Sequence, residues 1–340
     1  MDSLTQAALG AAVGSALMGR KAGARAPLWG VICGTIPDLD VFIPMGEAVA
    51  GFTYHRSFSH SLFVLAVLTP VLVWLILKIH PQTRQWRTRW AVAVYAIFAT
   101  HVLLDAMTVY GTQIFWPITS YPVSIGSVFI IDPLYTLPLL VGVAIALIRR
   151  HNPGGHRANV IGLALSTAYL AWTVGAQAHV RGLAQEALAD QGLDHQHLLV
   201  QPAPLNSILW RVVAMNGDDY QIGYYSLMDD APRFDFRRYE TAPGLLTDLQ
   251  THWPVQRLKW FTQGFYSVEL VDNAVVISDL RMGVEPDYVF RFKVADWDGE
   301  KAVPRTSTRL PEASGDERTD RLPALWQRIW GDKEAFARVM

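Results

Sequence analysis

A series of apolar stretches, at roughly 4–19, 27–46, 59–79, 90–110, 132–148 and 159–179, sets the tightest limit on how this chain can fold. Each approaches the length of about 20 residues that a helix needs to cross hydrocarbon. Up to residue 180 the only acidic residues are Asp2, Asp38, Asp40, Glu47, Asp105 and Asp132. An ordinary soluble domain spreads far more charge over its surface. The pattern predicts a multi-pass α-helical membrane protein with about six transmembrane helices, the first and fifth short. The first stretch reads as a retained helix rather than a cleaved signal, because Asp2 sits where a positive leader would begin and Arg20 and Lys21 follow the apolar run.

Basic residues give this bundle an expected orientation. They collect at Arg20, Lys21 and Arg25, then at Lys78, Arg84, Arg87 and Arg89, and again at Arg149, Arg150 and Arg157. These are alternate loops, which the positive-inside rule makes cytoplasmic. The N-terminus, the 47–58 loop, the 111–131 loop and everything after residue 180 then fall outside, with Arg56 as the exception. The net charge of -1 and the lack of a basic stripe argue against nucleic acid. With Cys33 as the single cysteine, intramolecular disulfides are excluded, and a buried, inert thiol is expected.

After residue 180 the composition becomes that of a water-soluble domain. Alternating segments at 207–215 and 220–228 flank Asn216-Gly217-Asp218-Asp219, which reads as a β-hairpin. Similar runs at 265–271, 274–280 and 287–295 surround the Asp272-Asn273 turn and the Glu285-Pro286 break, and 322–339 reads as a helix. The expected organisation is a transmembrane helical domain over 1–180 and a C-terminal, mostly β extracytoplasmic domain over 181–340. Trp260, Phe261, Phe265 and Tyr266 fit the core of such a domain better than a substrate clamp, and Asp279 and Arg281 are spaced to pair with each other.

Ionisable groups within a bilayer cost several kcal/mol by order of magnitude, so those present face a cavity and usually serve function. Asp38 and Asp40 lie in Thr35-Ile36-Pro37-Asp38-Leu39-Asp40, where Pro37 disfavours continuation of the helix. Residues two apart on a helix diverge by roughly 200°, so both carboxylates reach one cavity only if the backbone there is irregular. His55 and His60 flank the start of the third stretch. His101 and Asp105 stand four apart and share a helix face. Asp132 opens the fifth stretch beside Pro133, a position that also suits a helix N-cap. The orientation rests on Lys and Arg alone, yet Asp38, Asp40, His55, His60, His101, Asp105 and Asp132 all map to the outer side.

Imidazole and carboxylate together, without thiolate, suit zinc, manganese or iron, as one ion or as two bridged by an Asp. Such an ion lowers the pKa of bound water toward neutrality and polarises a carbonyl or phosphoryl oxygen, which is the chemistry of hydrolysis. Asp40 and Asp105 are then the candidate catalytic carboxylates, and Arg56 the group for an anionic substrate.

Several motifs together resemble the YdjM-like inner-membrane metal-dependent hydrolases: Asp2-Ser3-Leu4-Thr5 leading to Gly10, Pro37-Asp38-Leu39-Asp40, His55-Arg56 with Ser59-His60-Ser61, His101 through Asp105 to Thr108, and Tyr110-Gly111-Thr112. Similarity continues through Ile114-Phe115-Trp116-Pro117 and Ile131-Asp132-Pro133-Leu134 and, after residue 180, through Trp210, Trp260-Phe261, Gly264-Phe265 and Asp279-Leu280-Arg281. The resemblance implies that the seven His and Asp residues form the polar site of a hydrolase in the cytoplasmic (inner) membrane. In one departure, many relatives carry a His directly after the N-terminal Thr, where this chain has Gln6. The expected partners are membrane lipids, with a lipid-linked or envelope-derived phosphoester as substrate. The rival expectation is a transporter or a metal-binding membrane protein without catalysis; a conduit would need ionisable groups on the cytoplasmic halves of the spans too.

Overall fold

The computed structural model describes residues 1–285, 287–311 and 322–334. The chain divides into two compact units: Met1–Ile43 with His55–Gly175 and Pro204–Asn206, and Pro44–Tyr54 with Ala176–Ala203 and Ser207–Met340.

The first unit is helical. Helix α1 (Ser3–Ala22) starts where the Asp2 side chain accepts from Thr5 N at 3.0 Å. It lies against α2 (Arg25–Thr35) through small residues. A Cβ on Gly10 would collide with the carbonyl oxygen of Gly30, so the two backbones touch where a side chain would part them. Helix α2 stops after 11 residues, and Pro37–Phe42 continues as a 3-10 helix, the irregular backbone that Pro37 foretold. After a short 3-10 turn at Phe58–His60, Ser61 caps α4 (Leu62–Ile79), its hydroxyl accepting from Phe63 N and Val64 N. Helices α5 (Arg87–Ala106) and α6 (Pro133–Ile148) follow, and α7 (Pro153–Asp190) belongs to this unit as far as Gly175 and to the second unit from Ala176 on. Trp90, Phe98, Met18, Leu65, Ile76 and Leu139 fill the interior.

Among the described residues three helices, Leu62–Ile79, Pro81–Ala106 and Pro153–Asp190, are long and apolar enough to cross a membrane, and α6 is a shorter apolar helix. The structure thus supports three candidate spans where the sequence predicts about six. Helix α1 has the length, but its Gly-, Ala- and Ser-rich sequence lacks the apolarity. The 27–46 stretch is divided by Pro37 into two short pieces.

The second unit contains α3 (Ala48–Tyr54), two antiparallel four-stranded sheets and further short helices. The first sheet runs β1 (His197–Pro202), β2 (Leu209–Asn216), β3 (Asp219–Ser226) and β4 (Arg237–Glu240), and contains the expected hairpin, with Leu209 opposite Ser226 and Asn216 opposite Asp219. The second sheet has the order β10 (Ala302–Arg309), β9 (Arg291–Trp297), β6 (Ala274–Asp279), β5 (Tyr266–Val271). Asp272 and Asn273 join β5 to β6 with φ of 47° and 59°, as a two-residue hairpin turn requires. A small ribbon of β7 (Gly283–Val284) and β8 (Asp287–Tyr288) lies between β6 and β9 in sequence. Helix α8 (Trp253–Phe261) supplies Phe261 to the core, where its ring meets Phe52 of α3 at 4.9 Å. Phe261 is fully buried and Phe265 nearly so, which makes them core. The predicted C-terminal helix is present as α9 (Leu322–Ile329); Pro286 and residues 335–339 of that reading lie outside the described residues.

Three buried ion pairs lie inside this unit among the described residues, one of them Arg328 Nη1 with Asp229 Oδ1 at 2.7 Å. Arg281 Nη2 donates to Asp279 Oδ2 at 2.6 Å, the pairing their spacing suggested. Arg211 on β2 pairs with Glu285 and donates through Nη1 to Leu280 O at 2.8 Å. Burial alone would lower the Arg211 pKa, but the Glu285 carboxylate overrides it and raises the value.

Candidate metal centre

In the helical unit the chain brings together one ligand atom each from Asp38, His60, His101 and Asp105, all within 4.8 Å of one another. Asp38 comes from the 3-10 helix after α2, His60 from the 3-10 turn before α4, and His101 and Asp105 from one face of α5. His60, His101 and Asp105 are buried, and Asp38 retains 19% side-chain exposure.

The hydrogen bonds around the two imidazoles fix what they present. His101 Nδ1 lies 2.8 Å from the carbonyl oxygen of Gly34, which can only accept, so Nδ1 carries a proton and Nε2 of the neutral imidazole presents a lone pair. His60 Nδ1 lies 2.9 Å from Ser59 Oγ, whose own proton is given to Asp40 Oδ2. Ser59 Oγ therefore accepts from His60 Nδ1, and His60 Nε2 is also a lone pair. The two Nε2 atoms stand 3.3 Å apart. Asp105 Oδ2 lies 3.2 Å from His60 Nε2 and 3.3 Å from His101 Nε2, and Asp38 Oδ1 lies 3.3 Å and 3.6 Å from the same two atoms. Among the described residues Asp105 Oδ2 has no hydrogen-bond donor.

With both imidazoles neutral, three buried acceptors and the partly buried Asp38 oxygen would repel one another, and a cation at their centre removes that cost. Their spacing fits one. Four ligand atoms in a tetrahedron at about 2.0–2.1 Å from an ion are separated by about 3.3–3.4 Å; the five separations that involve an imidazole nitrogen are 3.2 to 3.6 Å, and the Asp38 and Asp105 oxygens lie within 4.8 Å of each other. The group can hold a metal ion.

The remaining sequence-selected residues stand outside this group. Asp40, expected as a ligand, has its carboxylate engaged: Oδ1 is 2.7 Å from His55 Nδ1, and Oδ2 accepts from Arg56 N at 3.0 Å and from Ser59 Oγ. His55, also expected as a ligand, is instead joined to Asp40, its ring centroid 6.0 Å from that of His60. Arg56 separates the two imidazoles with a left-handed backbone, φ 62°. Its N–H is fixed to Asp40 and its carbonyl oxygen accepts from Gln113 N at 2.9 Å. Asp132 is displaced for a plainer reason: it caps α6, accepting from Leu134 N at 3.0 Å and Tyr135 N at 3.3 Å, and from the Tyr169 hydroxyl at 2.8 Å.

The Arg56 side chain is buried against the site. Its Nη2 lies 3.2 Å from Asp105 Oδ1, its Nη1 donates to Thr108 Oγ1 at 3.3 Å, and its guanidinium carbon lies 5.0 Å from the Tyr110 ring centroid. Asp105 Oδ1 also accepts from Gln6 Nε2 at 3.1 Å and from the main-chain nitrogen of Met1. Sequence reasoning did not assign roles to Ser59 or to the Gly34 carbonyl; Ser59, next to a site His, was the visible signal.

The model of the YdjM inner membrane protein family matches residues 1–180, more than half of the chain. The chain belongs to that family. The matched YdjM segment contains all four residues of the metal group and the Asp40–His55 pair. Comparisons with curated proteins and with solved structures give no match.

Proposed function

We propose that this YdjM-family protein is a multi-pass inner-membrane metallohydrolase acting at the extracytoplasmic side, with its β-rich unit outside. The observation that carries the reading is the convergence of Asp38 Oδ1, His60 Nε2, His101 Nε2 and Asp105 Oδ2 with both imidazole lone pairs turned inward. Two imidazole nitrogens and two carboxylate oxygens without thiolate favour zinc over manganese or iron. A divalent ion held by these groups with a further position left for water would lower the pKa of that water and polarise a phosphoryl or carbonyl oxygen.

The chain's own groups supply the rest. Asp40 orients His55 through Nδ1, leaving Nε2 on a side chain 25% exposed, where it can take a proton from the incoming water and return it to a leaving group. Arg56, expected to hold an anionic substrate group, is committed to Asp105 and Thr108, and its role in this reading is to hold Asp105 in place. The loops that carry the ligands expose apolar side chains: Leu39, Val41, Phe42 and Ile43 beside Asp38 and Asp40, and Phe115, Trp116 and Ile118 on the loop tied to Ser61. An apolar rim around a hydrolytic centre suits a lipid-linked phosphoester.

The test is to purify the full chain in detergent, measure bound metal, and assay phosphoester and lipid-linked substrates with wild type, His101→Ala and Asp105→Asn. Loss of metal and turnover together supports the proposal. Retention of the metal by both variants refutes the site, and metal without turnover on any substrate leaves a non-catalytic metal protein.

A further inference from the structure

A seven-residue set with four carboxylates suggests room for two bridged ions, yet the hydrogen bonds oppose that count. A bridging Asp must offer an oxygen to each ion. Asp105 Oδ2 faces the metal group, but Oδ1 accepts from Gln6 Nε2 at 3.1 Å and from the Met1 nitrogen, with the Arg56 guanidinium 3.2 Å away. A second cation on that oxygen would have to displace these donors and sit against a fixed positive charge. Both oxygens of Asp40 are taken by His55, Arg56 N and Ser59, and both oxygens of Asp132 by the α6 N-terminus and Tyr169. Asp38 Oδ2 is buried without a hydrogen-bond partner, but one oxygen falls short of the three or four protein ligands a zinc site draws on.

Resting on the metal reading above, we infer that the site holds a single ion and that Gln6, together with Arg56, sets Asp105 as a one-oxygen ligand. Gln6 comes from α1 and is fully buried. Its amide nitrogen is aimed by two acceptors at once, Asp105 Oδ1 and the carbonyl oxygen of His101 at 3.3 Å. It thereby ties the carboxylate to the backbone of the neighbouring ligand and fixes the rotation that turns Oδ2 toward the metal group. Gln6 is a positioning residue: it acts on the ion through Asp105.

The experiment strips the full-length protein with chelator, titrates it with Zn²⁺ in detergent, and counts ions after gel filtration. The site's count is the difference between wild type and His101→Ala, with His60→Ala as a second reference should the first misfold. The expected difference is one ion per chain. A difference of two overturns the single-ion inference while leaving the metal reading intact, whereas zero removes the metal reading itself. Gln6→Met, which keeps the volume and loses the donors, should weaken the Zn²⁺ Kd by about 10-fold or more with the melting temperature of the metal-free protein unchanged. An unchanged Kd, or a loss confined to metal-free stability, overturns the role given to Gln6.

Discussion

Each unit buries carboxylates, but they are balanced differently. In the β-rich unit Asp279 and Glu285 each face an arginine of the same unit, Arg281 and Arg211, so those charges are closed by partners the chain supplies. In the helical unit Asp105 has Arg56 and the Met1 nitrogen on Oδ1, but its Oδ2 and Asp38 Oδ1 face two imidazoles whose Nδ1 protons are turned away, so with neutral rings acceptors meet acceptors. Burial of charge is common to both and distinguishes nothing. What separates a structural ion pair from a candidate metal centre is whether donors and acceptors cancel without an outside cation.

The sharpest way to break this comparison is to remove one ligand. His60→Ala should weaken metal binding by more than about 100-fold, beyond the loss usual for an outer partner, and abolish turnover with it. Metal analysis of the purified variant checks it, and stoichiometric metal would show that the lone-pair geometry is not a binding site.

The second prediction concerns the closed pairs. Arg211→Met leaves Glu285 buried opposite a neutral side chain, and removing one partner of a buried pair costs about 3–5 kcal/mol. A clearly lower melting temperature is expected with the metal content unaltered. A drop in bound metal would tie Arg211 to the site and erase the distinction between the two kinds of cluster.

Much of this was legible in the sequence. The i, i+4 spacing of His101 and Asp105 put both on one helix face, and Pro37 announced the irregular backbone that brings Asp38 in. The hairpins followed from Asn216-Gly217 and Asp272-Asn273. Other assignments depended on geometry that composition does not encode. Which of Asp38 and Asp40 joins the four-residue group is set along the 3-10 helix at 37–42, and between His55 and His60 the chain turns at Arg56 with positive φ. Asp132 carried both readings, ligand and N-cap, and the helix end decided for the cap. That α3 belongs to the β-rich unit rests on Phe52 meeting Phe261, Phe290 and Phe292, partners more than 200 residues away. Of the six apolar stretches three form helices long and apolar enough to be candidate spans among the described residues; 27–46 is divided at Pro37, α1 lacks the apolarity and α6 the length.

Asp132 gives a milder test on the helical side. Asp132→Ala removes the cap of α6 and should cost about 1 kcal/mol, with metal affinity retained. The melting temperature and the Zn²⁺ titration of the same preparation check both halves, and a lost ion would return Asp132 to the ligand set.

The smallest effect is expected where charge is matched in the open. Asp296 on β9 is half-exposed, with Lys293 Nζ and Arg305 Nε each 2.6 Å from one of its oxygens. Their hydrogen bonds, Lys293 first, hold its carboxyl below the usual value. A carboxyl lowered on folding binds fewer protons folded than unfolded, so the pairs stabilise the fold above the unfolded carboxyl's pKa of about 3.9. That contribution fades as pH falls through the lowered value. Asp296→Asn should therefore reduce the melting temperature slightly at neutral pH and not at all in acid, and about 0.5 M salt should erase the difference. A shift as large as that of Arg211→Met would mean that exposure does not weaken these pairs, and burial would no longer separate the strong ion pairs of the β-rich unit from the weak ones.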